Sequence, residues 1–307
     1  MKDNIKPYLR VVTTTRCNHS CYYCSREGRS GTYSTDISLE DVVLAARCAS
    51  RVGIDKIHFT GGEPLLHPNI LDFISTARKV APTLDVGLTT NGVLLQEFAH
   101  DLASGGLRRI NISVPSLQRT TFADICGFDN LGCVLAGIQS AIEEGLRPIK
   151  LNIVVIKANV REIGAYMSTF ASLEMVVLRF LITLPYNETA GSQAVSEEAV
   201  RDSIAVGLSA YSSKLRKSLR KRIVVRPLQP ATHPRCRICA YQSLCGERAL
   251  AVRLTPDGLL RPCLLNPSFA EPFSGSADPV AALRRALGAV TAEPTLEEEI
   301  IDACDSC

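Results

Sequence analysis

The chain is predicted to be an α/β protein whose mainly parallel sheet curls into an open, three-quarter barrel, and three observations predict it. Between residue 9 and about residue 182, short β-rich runs alternate with amphipathic helical stretches, the pattern of strands joined by helical crossovers. The runs number six, too few to close an eight-stranded barrel but enough for an open one. A cysteine-rich tail follows a proline-marked linker, so a small appended unit is expected beyond the barrel.

The predicted strands are Leu9–Thr15, Asp55–Thr60, Asp85–Thr90, Arg109–Val114, Ile149–Ile156 and Val176–Ile182. Helical stretches separate them. Ser38-Leu39-Glu40-Asp41 reads as an N-cap followed by acidic first-turn residues, and Asn130 to Glu144 stops at Gly145. Tyr186 to Gln193 reads as a loop, Ser196 to Leu219 as one helix, and Pro227, Pro230 and Pro234 as a linker. The expected divisions are 1–190 for the barrel, 191–235 for helix and linker, and 236–307 for the cysteine-rich unit. Chemistry in such barrels sits at the C-terminal ends of the strands.

With 307 residues and 46% apolar content, the chain can build one large core and a small appendage. A net charge of +3 gives no footprint for nucleic acid. The only dense basic run, Lys214 to Arg222, is interrupted by Ser and Leu like one face of a solvated helix. No apolar run reaches the ~18 residues of a membrane span, so a soluble, cytoplasmic protein without nucleic-acid or membrane partners is expected. Twelve cysteines without a signal sequence point to metal ligation in a reducing compartment. Cys48, Cys126 and Cys133 stand apart from the others and read as packing residues.

Cys17-Asn18-His19-Ser20-Cys21-Tyr22-Tyr23-Cys24 follows the first strand. Three thiols spaced Cys-x3-Cys-x2-Cys can cap three corners of a cubic iron-sulfur cluster and leave the fourth iron open. An open iron can chelate a small molecule and pass it an electron. A zinc knuckle or incidental thiols is the alternative, although zinc sites usually pair two Cys-x2-Cys hooks, or one with histidines, and only His19 is near. The second strand ends in Gly61-Gly62-Glu63-Pro64, which alone would be an ordinary turn. Together, in this order on successive strands, the two motifs resemble the radical S-adenosylmethionine (SAM) superfamily. The resemblance implies a 4Fe-4S cluster on Cys17, Cys21 and Cys24, a methionine amino group held at Gly61, Gly62, Glu63 and Pro64, and Tyr23 packed near the adenine.

Later strand ends extend the resemblance. Leu88-Thr89-Thr90-Asn91-Gly92, Asn111-Ile112-Ser113-Val114-Pro115-Ser116-Leu117, Lys150 to Val155 and Arg179-Phe180 look like the barrel of GTP 3′,8-cyclases of molybdenum-cofactor biosynthesis, a partial (β/α)6 TIM-like barrel. By motif match, Ser113, Ser116, Asn152 and Arg179 inherit contacts to the SAM ribose and carboxylate, and Asn91 joins the cofactor-binding set. The pattern departs from those enzymes at Ile182, where they have glutamate, and at Ala251, where one of two paired arginines is lost and Arg253 remains. The C-terminal Gly-Gly is absent as well. Replacing a buried recognition group by an aliphatic one strands its partners at ~1–3 kcal/mol each, so the expectation is the same radical engine with a substrate other than GTP.

In the tail, Gly258-x4-Cys263, Cys245 and Cys304-x2-Cys307 resemble a "twitch" subdomain, the short form of the SPASM domain, which implies an auxiliary 4Fe-4S cluster on Cys245, Cys263, Cys304 and Cys307. Cys236 and Cys239 are left over. They could join Cys263 in a three-thiolate cluster with an open iron, or form a zinc knuckle with Cys304 and Cys307. The resemblance implies that reduced flavodoxin or ferredoxin charges the first cluster, that SAM is cleaved to methionine and a 5′-deoxyadenosyl radical, and that the radical takes hydrogen from the substrate. The first strand begins about eight residues in, which leaves no room for a leader-peptide-binding domain. A small molecule, such as a nucleoside, nucleotide or sugar in cofactor or natural-product biosynthesis, is therefore the first expectation. Oxidation, rearrangement and sulfur insertion stay open as outcomes. A maturase of ribosomal peptides is the runner-up, and a non-catalytic iron-sulfur electron carrier is the reading from another class.

Overall fold

The computed structural model describes residues 7–25, 36–183, 188–226, 251–263, 266 and 269–288, together with the strand Glu299–Ile300. All six predicted runs are strands: β1 (Tyr8–Val12), β2 (Lys56–Thr60), β3 (Asp85–Thr90), β4 (Arg109–Ser113), β5 (Ile149–Val155) and β6 (Val176–Ile182). They pair in chain order and are parallel throughout. The crossovers carry α1 (Leu39–Arg51), α2 (Ile70–Val80), α3 (Leu95–Ser104), α4 (Arg119–Cys126), α5 (Leu131–Glu143) and α6 (Ile163–Phe170). The Ser38 hydroxyl accepts from the Asp41 amide at 3.0 Å, as its sequence predicts. Gly145, at φ 72°, ends the turn after α5. Asn130, which precedes α5, makes no side-chain cap bond; its Oδ1 lies 2.9 Å from Nε2 of His19.

Period-two alternation sorts the strand residues into two faces. On β5, Ile149, Leu151, Ile153 and Val155 are buried against the helices, while Lys150, Asn152 and Val154 point the other way; β6 repeats the pattern with Val177, Arg179 and Leu181. Neighbouring strands lie about 4.8 Å apart, so β1 and β6 would be roughly 24 Å apart in a flat sheet. The charge of Arg179 on β6 nevertheless acts on Tyr8 of β1 and His58 of β2, a reach that solvent would screen. The sheet therefore curls, and these side chains face one another across a barrel interior.

Two short strands lengthen the arc. Beyond β6 come α7 (Glu188–Ser192), α8 (Glu197–Ser209), α9 (Ser213–Arg220) and β7 (Ile223–Arg226), which pairs parallel with β6. The single helix expected over Ser196–Leu219 is thus two, broken at Ala210–Ser212, where Arg216 Nη2 donates to the Ser209 and Tyr211 carbonyls at 3.3 and 3.1 Å. At the other edge β8 (Ala251–Leu254) pairs parallel with β1. β9 (Leu259–Arg261) returns antiparallel to β8 around Gly258, at φ 75°. β10 (Glu271–Pro272) pairs with β9, α10 (Pro279–Gly288) follows, and β11 (Glu299–Ile300) pairs with β7. The sheet stays open because β7 ends against β11 and β8 against β9. The linker prolines Pro227, Pro230 and Pro234 lie outside the described residues. Among the described residues no single helix is long and apolar enough to cross a membrane.

Candidate active site

The cysteine loop leaves the C-terminal end of β1 and is fastened at both sides. Thr13 donates to the Thr60 carbonyl through its amide (2.8 Å) and its hydroxyl (3.0 Å), locking the ends of β1 and β2 together. Within the loop the Cys24 amide donates to the Cys21 carbonyl (3.0 Å), and the His19 amide points at the Cys17 sulfur (3.4 Å). Asn91 Nδ2, from the end of β3, lies 3.9 Å from the same sulfur and 2.6 Å from Asn18 Oδ1. Cys17 and Cys24 are exposed and Cys21 is half-buried. Tyr23, between the second and third thiols of the loop, sets its ring edge-on to Tyr22 at 5.8 Å.

The glycine turn after β2 lies flat along the stem of that loop. Gly62 donates to the Thr14 carbonyl (2.8 Å) and Glu63 to the Arg16 carbonyl (2.7 Å). A Cβ on Gly61 would stand 2.6 Å from the Thr14 oxygen, and one on Gly62 would collide with the Arg16 carbonyl. Only glycine permits this approach. Glu63 is fully buried and acts as a buckle: Oε1 accepts from the Thr90 hydroxyl (2.6 Å) and the Leu65 amide (3.1 Å), Oε2 from the Asn91 amide (2.7 Å). Burial raises its pKa, against these three hydrogen bonds, which favour the carboxylate. Pro64 is buried and opens a short 3-10 turn.

Three of the remaining predicted residues form one row. Ser113 on β4 is opposite Asn152 on β5, which is opposite Arg179 on β6. Ser116 is not in that row. It is fully buried in the turn after β4, where its hydroxyl lies 2.7 Å from Glu162 Oε1 and accepts from the Gln118 amide at 2.9 Å. In the tail, Cys263 is half-buried after β9, with the Asn266 amide 3.3 Å from its sulfur. Cys236, Cys239, Cys245, Cys304 and Cys307 lie outside the described residues.

Beneath the row, the barrel interior is strongly cationic. Arg10, Lys56, Arg109 and Lys150 occupy inward positions on four strands there, Arg253 of β8 sits opposite Arg10, and Arg179 of the row itself adds a charge from β6. Asp85 pairs with Arg109 at 2.8 Å, and Lys56 Nζ lies 4.7 Å over the Tyr8 ring. Burial, then the charges of Lys56, Arg10, Arg179 and Arg109, hold His58 well below the usual histidine range, so its ring is neutral. Its Nε2 is 2.6 Å from the Thr89 hydroxyl and 3.3 Å from Asn111 Nδ2. Burial alone would push the Tyr8 hydroxyl up, yet the charges of Arg10, Arg226, Lys56 and Arg179 together bring it below its ordinary value. Sequence reasoning named Arg179 and Arg253 one at a time and missed the rest of the set, whose trace was one cation at an alternate position in most strands.

The donor set fits an iron-sulfur cluster with SAM. Burial, helped by the negative charge of Glu63, Cys21 and Cys24, pushes the Cys17 thiol up to about 11, and the Cys126 thiol and burial push Cys21 up further. Cys17 and Cys21, whose surroundings disfavour ionisation, would release their protons when a cation binds them. Asn152 Oδ1 is buried without a hydrogen-bond partner, an acceptor left for a ligand. Cys126 was read as a packing residue; it is 1% exposed, and its sulfur also adjoins Cys21. Cys133, read likewise, is exposed on α5 because it falls on the face away from Leu131 and Val134.

Comparison with known proteins shows the family. Residues 11–169 match the model of the radical SAM superfamily. The chain is 32% identical over 265 residues to a GTP 3′,8-cyclase of Clostridium acetobutylicum, covering 84% of this chain and 80% of that protein. It is 31% identical over 283 residues to a GTP 3′,8-cyclase of Thermodesulfovibrio yellowstonii, covering 87% and 85%. Among solved structures, Streptococcus suis SuiB bound to S-adenosylmethionine superposes with a TM-score of 0.63 at 13% identity, over 85% of this chain and 60% of SuiB. Native anSMEcpe with bound AdoMet superposes at 0.61 and 16% identity, over 85% and 75%. These two likenesses concern the fold. A superfamily match over more than half the chain, and relatives alike over most of their length, show that this protein belongs to the radical SAM superfamily, enzymes that use a 4Fe-4S cluster and SAM.

Proposed function

We propose that the protein cleaves SAM reductively at a cluster held by Cys17, Cys21 and Cys24, and that its substrate is an anionic small molecule, a phosphorylated nucleoside or sugar, seated in the barrel interior. The observation that carries the substrate class is the convergence of Arg10, Lys56, Arg109, Lys150 and Arg179 from separate strands, with Arg253 beside them. Cations crowded in a poorly solvated interior repel one another, and an anion relieves that cost. When bound, the cluster and SAM supply a one-electron reduction and a carbon radical able to take hydrogen from an unactivated carbon. A reduced flavodoxin or ferredoxin is the proposed donor.

The chain's own residues position and shield. Ser113, Asn152 and Arg179 offer a hydroxyl, an unpaired acceptor and a cation in one row, suited to ribose hydroxyls and a carboxylate. Gly61 and Gly62 hold the turn against the stem of the thiol loop, which sets the backbone proposed to take the methionine amino group, with Asn91 beside the thiols. Ser116, bonded to Glu162, serves this reading as a support for the turn after β4. His58 stays neutral and holds Thr89 and Asn111 in place beneath the row. An auxiliary 4Fe-4S cluster on Cys245, Cys263, Cys304 and Cys307, with Cys236 and Cys239 as alternative ligands, completes the proposal in a twitch-like tail. The departures at Ile182 and Ala251 support a substrate other than GTP in a cofactor or natural-product pathway.

The test is anaerobic: reconstituted protein, SAM and dithionite are offered matched phosphorylated and dephosphorylated nucleosides and sugars, and 5′-deoxyadenosine is measured. Stimulation confined to phosphorylated members, and lost in Arg10→Ala and Lys56→Ala, is expected. Equal stimulation by the dephosphorylated partners would overturn the substrate class.

A further inference from the structure

We propose that the Cys126 thiol donates a hydrogen bond to the Cys21 sulfur and thereby raises the reduction potential of the cluster that Cys21 helps to hold. This rests on the ligand assignment proposed above. The Cys21 sulfur, the Cys126 sulfur and a ring nitrogen of His19 all lie within 4.8 Å of one another, although Cys126 comes from the far end of α4.

The loop is built to keep them there. The Ser20 amide donates to the Cys126 carbonyl at 2.8 Å, so the residue just before Cys21 is pinned to the one just after Ile125. Gly127, at φ 77°, turns the chain at that point, and a Cβ on it would strike the Ser20 hydroxyl. On the other side Nε2 of His19 engages Asn130 Oδ1 at 2.9 Å, and the ring lies edge-on to Phe122 and stacked on Phe128, at 5.7 and 6.4 Å. Asn130 forgoes a cap bond on α5 in this arrangement. A side chain wanted only for packing needs none of these clamps.

A thiolate bound to iron can only accept hydrogen bonds, and the buried Cys126 thiol is a donor with that sulfur next to it. Withdrawing charge from a ligand sulfur favours the reduced, more negative cluster, and hydrogen bonds to the sulfurs are one of the levers on its potential. The radical chemistry begins with reduction of this cluster, so Cys126 bears on how readily a physiological donor can start it.

The test is an EPR-monitored redox titration of reconstituted full-length protein, following the signal that changes when SAM is added. In Cys126→Ala the ratio of reduced to oxidised cluster at a fixed poise falls about threefold, equivalent to about 28 mV at 59 mV per decade. Cys126→Ser keeps a donor and retains the wild-type midpoint or a higher one. An unchanged midpoint in Cys126→Ala, or a fall in Cys126→Ser as large as in Cys126→Ala, would overturn the inference. Cys21→Ala that retained the SAM-responsive signal would instead overturn the ligand assignment beneath it.

Discussion

Replacing Gly62 by alanine tests whether the two signature motifs act as one mechanical unit. The Gly62 amide donates to the Thr14 carbonyl at 2.8 Å and the Glu63 amide to the Arg16 carbonyl at 2.7 Å, and a Cβ at residue 62 needs the space of the Arg16 carbonyl. The turn must therefore back away from the loop stem, breaking both bonds. Each is worth about 1 kcal/mol net, and stranding a buried partner adds about 1–3 kcal/mol. The expected loss is about 3–5 kcal/mol, or a fall in Tm of about 6–10 °C at roughly 2 °C per kcal/mol for a chain of this size. Because the displaced stem carries Cys17, iron incorporation should fall with it. Gly132→Ala is the control: nothing lies within 4 Å of its Cβ site and it sits in α5, so it should be neutral or stabilising by about 0.5–1 kcal/mol. Calorimetry and iron assay of both variants decide. Wild-type Tm and iron content in Gly62→Ala, or an equal loss in Gly132→Ala, would refute the coupling.

Glu63→Gln opposes an amide N–H to at least one of the three donors on the carboxylate and should cost about 1–3 kcal/mol by chemical denaturation. Since burial sets the native Glu63 pKa above the unfolded value of about 4.3, the native state holds its proton longer, and this group's contribution to stability declines as pH rises through that window. The Gln variant should lack that slope. His58 has the opposite sign: its native pKa is below the unfolded one of about 6.5, so acidification from there downward should destabilise the wild type and leave His58→Asn less affected, as read by Tm against pH. Arg222 donates through Nη1 to the Leu173 carbonyl (2.8 Å) and through Nη2 to the Ala171 carbonyl (2.7 Å), closing the end of α6; Arg222→Ala should cost about 2–3 kcal/mol in urea unfolding, and lysine, which cannot fork, should restore only part. Asn152→Ala should weaken SAM binding about tenfold in equilibrium titration with little change in Tm, because the atom removed has no partner in the protein.

The strands were legible because each β-rich run is short, ends in turn residues and alternates with a helix whose cap, such as Ser38, is local in sequence. β7 was not, because Ile223–Arg226 follows a basic helix and has only four residues to carry a pattern. The thiol loop and the glycine turn were legible as motifs, but their contact was not: nothing in the residues 61 and 62 alone says that their missing side chains make room for Arg16. Ser113, Asn152 and Arg179 could be matched to strand ends, yet only the register shows them side by side and Ser116 turned aside to Glu162. The Cys21–Cys126 neighbourhood depends on where α4 ends relative to a loop a hundred or so residues earlier, which no local pattern encodes.

Charge is layered along the barrel axis. At the mouth, burial first and then the negative charges of Glu63, Cys21 and Cys24 push the Cys17 thiol up. Beneath them, burial and the charges of Lys56, Arg10, Arg179 and Arg109 keep the proton off His58, and the charges of Arg10, Arg226, Lys56 and Arg179 together bring the Tyr8 hydroxyl below its ordinary value. On the reading proposed above, a cation bound at the thiols would take up their thiolate forms, while an anionic substrate would be drawn to the cationic layer beneath. Because such attraction is screened over about 8–10 Å at ordinary ionic strength, the interior can hold its ligand firmly while added salt mainly slows its capture. The neutral His58 then matters for what it does not do: a protonated ring there would add another cation to the same space, and the hydrogen bonds to Thr89 and Asn111 keep its ring fixed among charges that forbid it a proton.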